Sequence, residues 1–265
     1  MSDTLQNKIT LKSYFVTHAV PTQDNFASLI TTLVAEGGTS GTLSYAVNIG
    51  PTAQATGSSG SFAQGPVTFA SGNQGSFAQG ENATASGIQG SFAQGLNVTA
   101  NGDNGSFAQG QNVTASGVQG SFAQGINTTA SGNIGSFAQG YSSSANGDSG
   151  SFAQGQNATA NGTQGSFAQG VNATSNGNNG SLAQGIDVTA SGDGSWAVGS
   201  NVTASNTTSI VFGTDAINDV ATSIQIGANG PRLIGSGAPS NPRNGDIWVA
   251  NNHVFIFSNG IPIQF

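Results

Sequence analysis

The sequence is poor in charged residues and contains no cysteine. Only 6% of its 265 residues are Asp, Glu, Lys or Arg, and no Lys or Arg occurs between Ser13 and Pro231. Nucleic-acid binding needs a basic surface that neutralises phosphates, so we expect no nucleic acid as a partner. Because a chain without cysteine forms no disulfide bonds, its stability must come from packing.

Long apolar segments are also missing. Nowhere does the chain contain the roughly 18 consecutive apolar residues of a transmembrane helix, so we expect no membrane insertion. The first sixteen residues, MSDTLQNKITLKSYFV, lack the uninterrupted apolar core of a signal peptide, and we expect no secretion signal in the chain.

Constellations for catalysis are absent as well. The two histidines, His18 and His253, lie near opposite ends of the chain, and there is neither a nucleophile elbow nor a P-loop lysine. Aspartates such as Asp103 and Asp148 do not recur at a fixed interval, so the calcium-binding repeat pattern is missing. We therefore expect no enzyme activity, no cofactor and no metal site.

What the sequence has instead is an internal repeat. The block GSFAQG returns every 15 residues, and the spacing shortens to 14 in GSWAVG and in the later copies TSIVFG and TSIQIG. The serine of each copy lies at Ser61, Ser76, Ser91, Ser106, Ser121, Ser136, Ser151, Ser166, Ser181, Ser195, Ser209 and Ser223. A unit of this length is too short for a helix pair and suits one turn of a β-solenoid with two short strands and two glycine-marked bends.

Alternation along the strands predicts which side chains face inward. In SFAQG one parity is Ser76, Ala78 and Gly80, all small, whereas the other parity is Phe77 and Gln79. We expect the small residues to fill a narrow interior. The alternative, a wider monomeric solenoid with Phe inside, would expose the alanines and bury Asn and Thr.

Two outer faces follow from this parity. One is a polar face, represented by Asn82, Thr84, Ser86, Asn97, Thr99 and Asn101. The other carries an apolar ladder with glutamines beside it, which we expect to line the axis of a homotrimer because so long an apolar stripe marks an interface. Its members are Phe62, Phe77, Phe92, Phe107, Phe122, Phe137, Phe152, Phe167, Leu182 and Trp196, with Gln79, Gln94 and Gln109 among the glutamines.

The segment GSWAVGSNVTASNTTSIVFGTDA, Gly194–Ala216, resembles the head repeats of trimeric autotransporter adhesins, which follow S-x-A-x-G with 14-residue spacing. The resemblance covers roughly residues 44–227 and implies a trimer of left-handed parallel β-rolls. This sequence departs from the family in its 15-residue steps and in having Gln where the family has Ile or Val. The secretion signal, coiled-coil stalk and membrane anchor of that family are not found in it.

The two ends differ from the repeat. After Pro21, apolar residues at helical spacing, from Phe26 to Val34, predict a short helix that either caps the solenoid or attaches it to a larger particle. This segment resembles the amino-terminal segments of phage tail fibres. At the other end, residues 231–265 predict a meander with strands Ile247–Ala250, His253–Ser258 and Ile261–Phe265.

This meander resembles the trimerisation caps of phage fibrous proteins, and the resemblance implies a contact between chains through Trp248, Phe255 and Phe257. The chain then divides into an N-terminal attachment or capping segment, lead-in turns, the 15-residue repeats, the 14-residue repeats and a C-terminal cap. The corresponding ranges are residues 1–38, 39–60, 61–194, 195–230 and 231–265.

Three functions are compatible with this sequence. The first is a non-enzymatic trimeric fibre of a phage or phage-like particle, with a baseplate or particle at its N-terminus and a cell-surface glycan or protein as receptor. The second is a bacterial surface adhesin, and the third is an ice-binding solenoid whose Thr and Ser columns repeat at the strand spacing of about 4.8 Å. The first predicts location on a virion or at a cell surface.

Overall fold

A computed structural model of the protein describes residues 46–50, 52–227, 232–234, 237–251 and 253–265. The described residues are all-β, and those up to residue 227 form a parallel solenoid of about 13 turns with about 15 residues per turn, as the repeat predicts. Within these ranges no helix is long and apolar enough to span a membrane. The helix predicted after Pro21 lies outside the described residues.

The solenoid strands pair in parallel with the equivalent strand of the next turn. In chain order they are β1 (Val47–Ile49), β2 (Gln54–Ala55), β3 (Phe62–Gln64), β4 (Phe69–Ala70), β5 (Phe77–Ala85), β6 (Phe92–Ala100), β7 (Phe107–Ala115), β8 (Phe122–Ile126), β9 (Thr129–Ala130), β10 (Phe137–Tyr141), β11 (Ser144–Ala145), β12 (Phe152–Gln156), β13 (Thr159–Ala160), β14 (Phe167–Ser175), β15 (Leu182–Ala190), β16 (Trp196–Ala204), β17 (Ile210–Asn218) and β18 (Ser223–Ile226).

Each turn bends at a corner between its two sides. In β7 the backbone leaves the extended conformation at Gly110, with φ of 134°, and at Asn112, with φ of 53°. Asparagine enters the left-handed region more readily than most residues, because its short polar side chain bonds locally. The asparagine of N-x-T is therefore a corner residue.

The interior is narrow and lined by small side chains, as the sequence parity predicts. In one turn, Ser106, Ala108, Val113 and Ala115 are at most 1% exposed. The neighbouring Phe107 and Gln109 point outward and are only half-buried. The small-residue interior is thus confirmed, and the alternative with Phe rings enclosed by a single chain is wrong.

The register places identical residues above one another. Phe92 pairs with Phe107, and the alanine and glutamine that follow pair in the same way. At the first 14-residue step both sides keep this register, since Leu182 pairs with Trp196 and Ala190 with Ala204. The missing residue is therefore removed from the bend between Ala190 and Trp196, and the register on both faces is kept.

After the last turn the sheet continues into a cap. Its strands are β19 (Arg232–Ile234), β20 (Ile247–Ala250), β21 (His253–Ser258) and β22 (Ile261–Gln264). β19 runs antiparallel to β18 and parallel to β20, and the last three strands form the predicted antiparallel meander. β19 was not predicted from the sequence.

Candidate interaction surface

The Phe residues of the repeat form one stack of rings along the outside of the solenoid. Consecutive ring centroids lie 4.7–4.9 Å apart from Phe62 to Phe167, and the ring planes agree within 6°. This spacing is the strand spacing, and the near-parallel rings match the preferred offset stack. All eight rings stay half-buried in a single chain.

The strand register extends this stack into a longer apolar column, which we call the apolar stripe. Every member is apolar and none is buried. In order of pairing the members are Val47, Phe62, Phe77, Phe92, Phe107, Phe122, Phe137, Phe152, Phe167, Leu182, Trp196, Ile210, Ile224, Leu233, Ile247, Ile256 and Ile263.

A column of glutamines runs beside the stripe from Gln64 to Gln184. From Gln79 onward each side-chain amide donates from Nε2 to Oε1 of the glutamine in the preceding turn, for example Gln94 to Gln79 at 2.6 Å and Gln109 to Gln94 at 2.7 Å. An amide offers two N–H donors and two acceptor lone pairs, so one of each stays free on every glutamine. The column is therefore rigid along the axis and still able to bond sideways.

The polar face has two parts. Asn82 and Asn97 lie at the corner and are joined by an amide bond of 2.9 Å, and Asn97 donates to the next asparagine at 3.0 Å. The half-buried hydroxyl residues Thr84 and Thr99 form the flat part of this face. Exposed Ser86 and Asn101 lie at its far edge. This face carries the repeated N-x-T pattern and is uncharged at all six positions.

In the cap, the aromatic residues expected at a chain contact lie on a different face from the stripe. Trp248 is 4% exposed and stacks on Phe255 with centroids 5.5 Å apart. Phe257 shares the strand face of Phe255 and is half-buried. Trp248 thus contributes to the fold of a single chain, and a role of these residues in contact between chains stays a prediction.

A buried ion pair at the junction of solenoid and cap was not foreseen. Nε of Arg232 donates to both carboxylate oxygens of Asp246 at 3.0 and 3.1 Å, and both residues are at most 1% exposed. Burial raises the pKa of the Asp246 carboxyl, but hydrogen bonds from the Arg232 side chain and the Arg243 backbone outweigh burial and hold this pKa below its usual range. Arg232 and Asp246 lie outside the repeat, so no periodic pattern in the sequence indicated that they pair.

In the described part of the chain, no group of three or more His, Cys, Asp or Glu side chains lies close enough together to hold a metal ion. His253 is exposed, whereas His18 lies outside the described residues. Comparison with protein-family models, curated proteins and solved structures finds no match to this chain. The surface that the fold does define is the apolar stripe with its glutamine column.

Proposed function

We propose that the protein is a non-enzymatic, homotrimeric fibre of the phage tail-fibre type. Three parallel solenoids pack their apolar stripes around a common axis and form a stiff shaft. The N-terminal segment attaches the shaft to a phage or phage-like particle. The far end or the outward polar faces meet a glycan or protein of a cell surface.

The observation that supports self-association is the half-exposed Phe stack. Full burial of a Phe side chain contributes about 1.5–3 kcal/mol, so covering eight half-buried rings contributes roughly 6–12 kcal/mol per chain. This is of the same order as the whole stability of a typical domain, about 5–15 kcal/mol. A contiguous apolar surface of this size is characteristic of an interface.

The number three comes from the resemblance of Gly194–Ala216 to adhesin head repeats, and the geometry of the stripe is compatible with it. The stripe lies on one face of the sheet, turns its neighbouring Phe rings by at most 6° from one to the next, and contains no charged member. The glutamines beside it keep a free donor and a free acceptor for neighbouring chains. A shaft built in this way separates its two ends by a fixed distance, which is the task of a fibre.

Light scattering coupled to size exclusion tests the proposal on the full chain. We expect three times the 26.2 kDa chain mass and, in negative-stain images, rods. Phe122→Lys puts a charge into the middle of the stripe and should lower the assembled fraction. Thr129→Lys, in the same turn but on the polar face, should not. A compact monomer at micromolar concentration would refute the proposal.

A further inference from the structure

The outer face of the cap is more apolar than that of the shaft. Ile247, Ile256 and Ile263 continue the stripe across three strands. A second apolar column lies directly beside them, because Val249 pairs with Val254 and the backbone N–H of Phe265 donates to the carbonyl of Val254. The exposed fractions in this second column are 46%, 42% and 69%.

A cavity opens on the same face at the junction of solenoid and cap. Its volume is about 300 Å³, which is the lower end of the range for ligand pockets. Three stripe members, Ile224, Leu233 and Ile247, line it together with Val249 and the buried Ile234 and Trp248, and Thr222 is the one polar residue of its lining. The cavity is therefore a depression in the apolar stripe itself.

We propose that this cap face, which we call the isoleucine face, is the contact between copies of the chain at the C-terminal end. Its occupant is the isoleucine face of a neighbouring copy, which lies parallel, and an apolar side chain of that copy enters the cavity. The inference rests on the proposed fibre and differs from the sequence expectation, which placed the contact at Trp248, Phe255 and Phe257.

Continuity and area indicate a second copy as the occupant. The stripe has sixteen strand-to-strand steps of about 4.8 Å and is therefore about 75 Å long. One column of side chains is about 7 Å wide, so the stripe covers roughly 500 Å² per chain, and the column beside it brings the contact toward the roughly 800 Å² per partner of a standard interface. Without its cap part the stripe falls further below this area.

The composition of the apolar stripe determines whether neighbouring copies lie parallel or antiparallel. The stripe is aromatic from Phe62 to Phe167 and aliphatic in the cap, so only parallel copies bring like surfaces together along the full length. The Phe part alone cannot define the alignment, because a shift by one turn again places Phe beside Phe. The cap does not repeat, so a shift by one turn would place the cavity and Phe265 of one copy at a different height from those of its neighbour.

A matched pair of substitutions in β22 tests the assignment in the full chain. Ile263 and Gln264 are neighbours and both are exposed. Ile263 belongs to the isoleucine face, whereas Gln264 pairs with Phe255 on the opposite face of the cap, which we call the aromatic face. We expect Ile263→Lys to raise the concentration of half-dissociation, measured by light scattering or sedimentation, at least tenfold. Gln264→Lys should leave it within twofold.

A second variant guards against a local folding defect. Val254→Lys changes another strand of the same face, at a position that is 42% exposed, and should weaken assembly as Ile263→Lys does. Unchanged assembly in both variants overturns the inference while the trimer itself stands. Loss of assembly in Gln264→Lys alone assigns the contact to the aromatic face instead. A monomeric unmodified chain refutes the fibre, independently of either face.

Discussion

The guanidinium of Arg232 and the carboxylate of Asp246 form a buried pair joined by three hydrogen bonds, from Nε to both carboxylate oxygens and from Nη2 to Oδ2. The same carboxylate accepts the backbone N–H groups of Arg232 at 3.1 Å and of Arg243 at 2.7 Å. The Arg232 side chain also donates to the carbonyl of Asn241 at 2.7 Å. One carboxylate thus ties the start of β19 to the loop before β20.

Asp246→Asn should destabilise the cap by about 3–5 kcal/mol, because it leaves the Arg232 charge buried without its partner. Asp219 is the matched control, since its carboxylate lies 3.6 Å from Arg232 but is 63% exposed. Asp219→Asn should cost at most about 1 kcal/mol. Urea unfolding followed by the fluorescence of Trp248 in a Trp196→Phe background measures the loss of stability in each variant. Similar losses in the two variants would show that burial of the ion pair is unimportant.

Acid should weaken the cap through the same carboxylate. The pKa of Asp246 is lower in the folded than in the unfolded chain. The carboxylate therefore stabilises the cap fully at a pH above its pKa in the unfolded chain, and this stabilisation is lost as the pH falls through its pKa in the folded chain. We expect cap stability to be flat near neutral pH and to fall in the acid range. Trp248 fluorescence in urea at a series of pH values measures this, and Asp246→Asn should flatten the acid limb.

The corner glycine Gly110 should tolerate no side chain. A Cβ there would lie 1.9 Å from the carbonyl oxygen of Gly125 in the next turn, and the backbone that would have to move is held by the strand ladder. Gly105 also has positive φ, but no atom lies within 4 Å of its Cβ position. Gly110→Ala should therefore cost about 3 kcal/mol or more, and Gly105→Ala about 1–2 kcal/mol.

Chemical denaturation of the two variants, with far-ultraviolet circular dichroism as the signal, compares these costs. Both changes add one methyl group at a glycine with positive φ, but φ is 134° at Gly110 and 71° at Gly105, so the difference between them combines the close approach of neighbouring turns with the stricter backbone requirement at Gly110. Equal losses would mean that the turns move apart easily at the corner. The close spacing of successive turns would then not decide which residues fit at this corner.

How far the fold follows from the sequence differs between shaft and cap. In the shaft, the fixed interval and the parity of Ala78 against Phe77 predict the turns, the interior and the outward Phe stack, because each turn repeats the same information. The cap occurs once, so the pairing of β19 with β18 and β20 has no periodic signal. The burial of Arg232 and the continuation of the stripe through Ile256 depend on that pairing and were missed.

Val67 and Ser142 interrupt the run of Asn and Asp in the corner column, and Ser142 gives a stabilising prediction. Ser142 has φ of 53°, as the corner asparagines do, but it interrupts the amide ladder between Asn127 and Asn157. Ser142→Asn supplies a side chain suited to positive φ and lets its amide bond to both neighbouring turns. We expect a gain of about 0.5–1.5 kcal/mol.

Calorimetry of the full chain measures this gain, which should appear as a rise in Tm of about 2–4 °C for each kcal/mol in a chain of this size. Ser144→Asn is the control, because Ser144 lies two residues further on in β11, in a strand conformation and outside the corner column. It should give no gain. If both variants behave alike, the asparagines are not selected by the corner, and the amide ladder contributes little to the stiffness of the shaft.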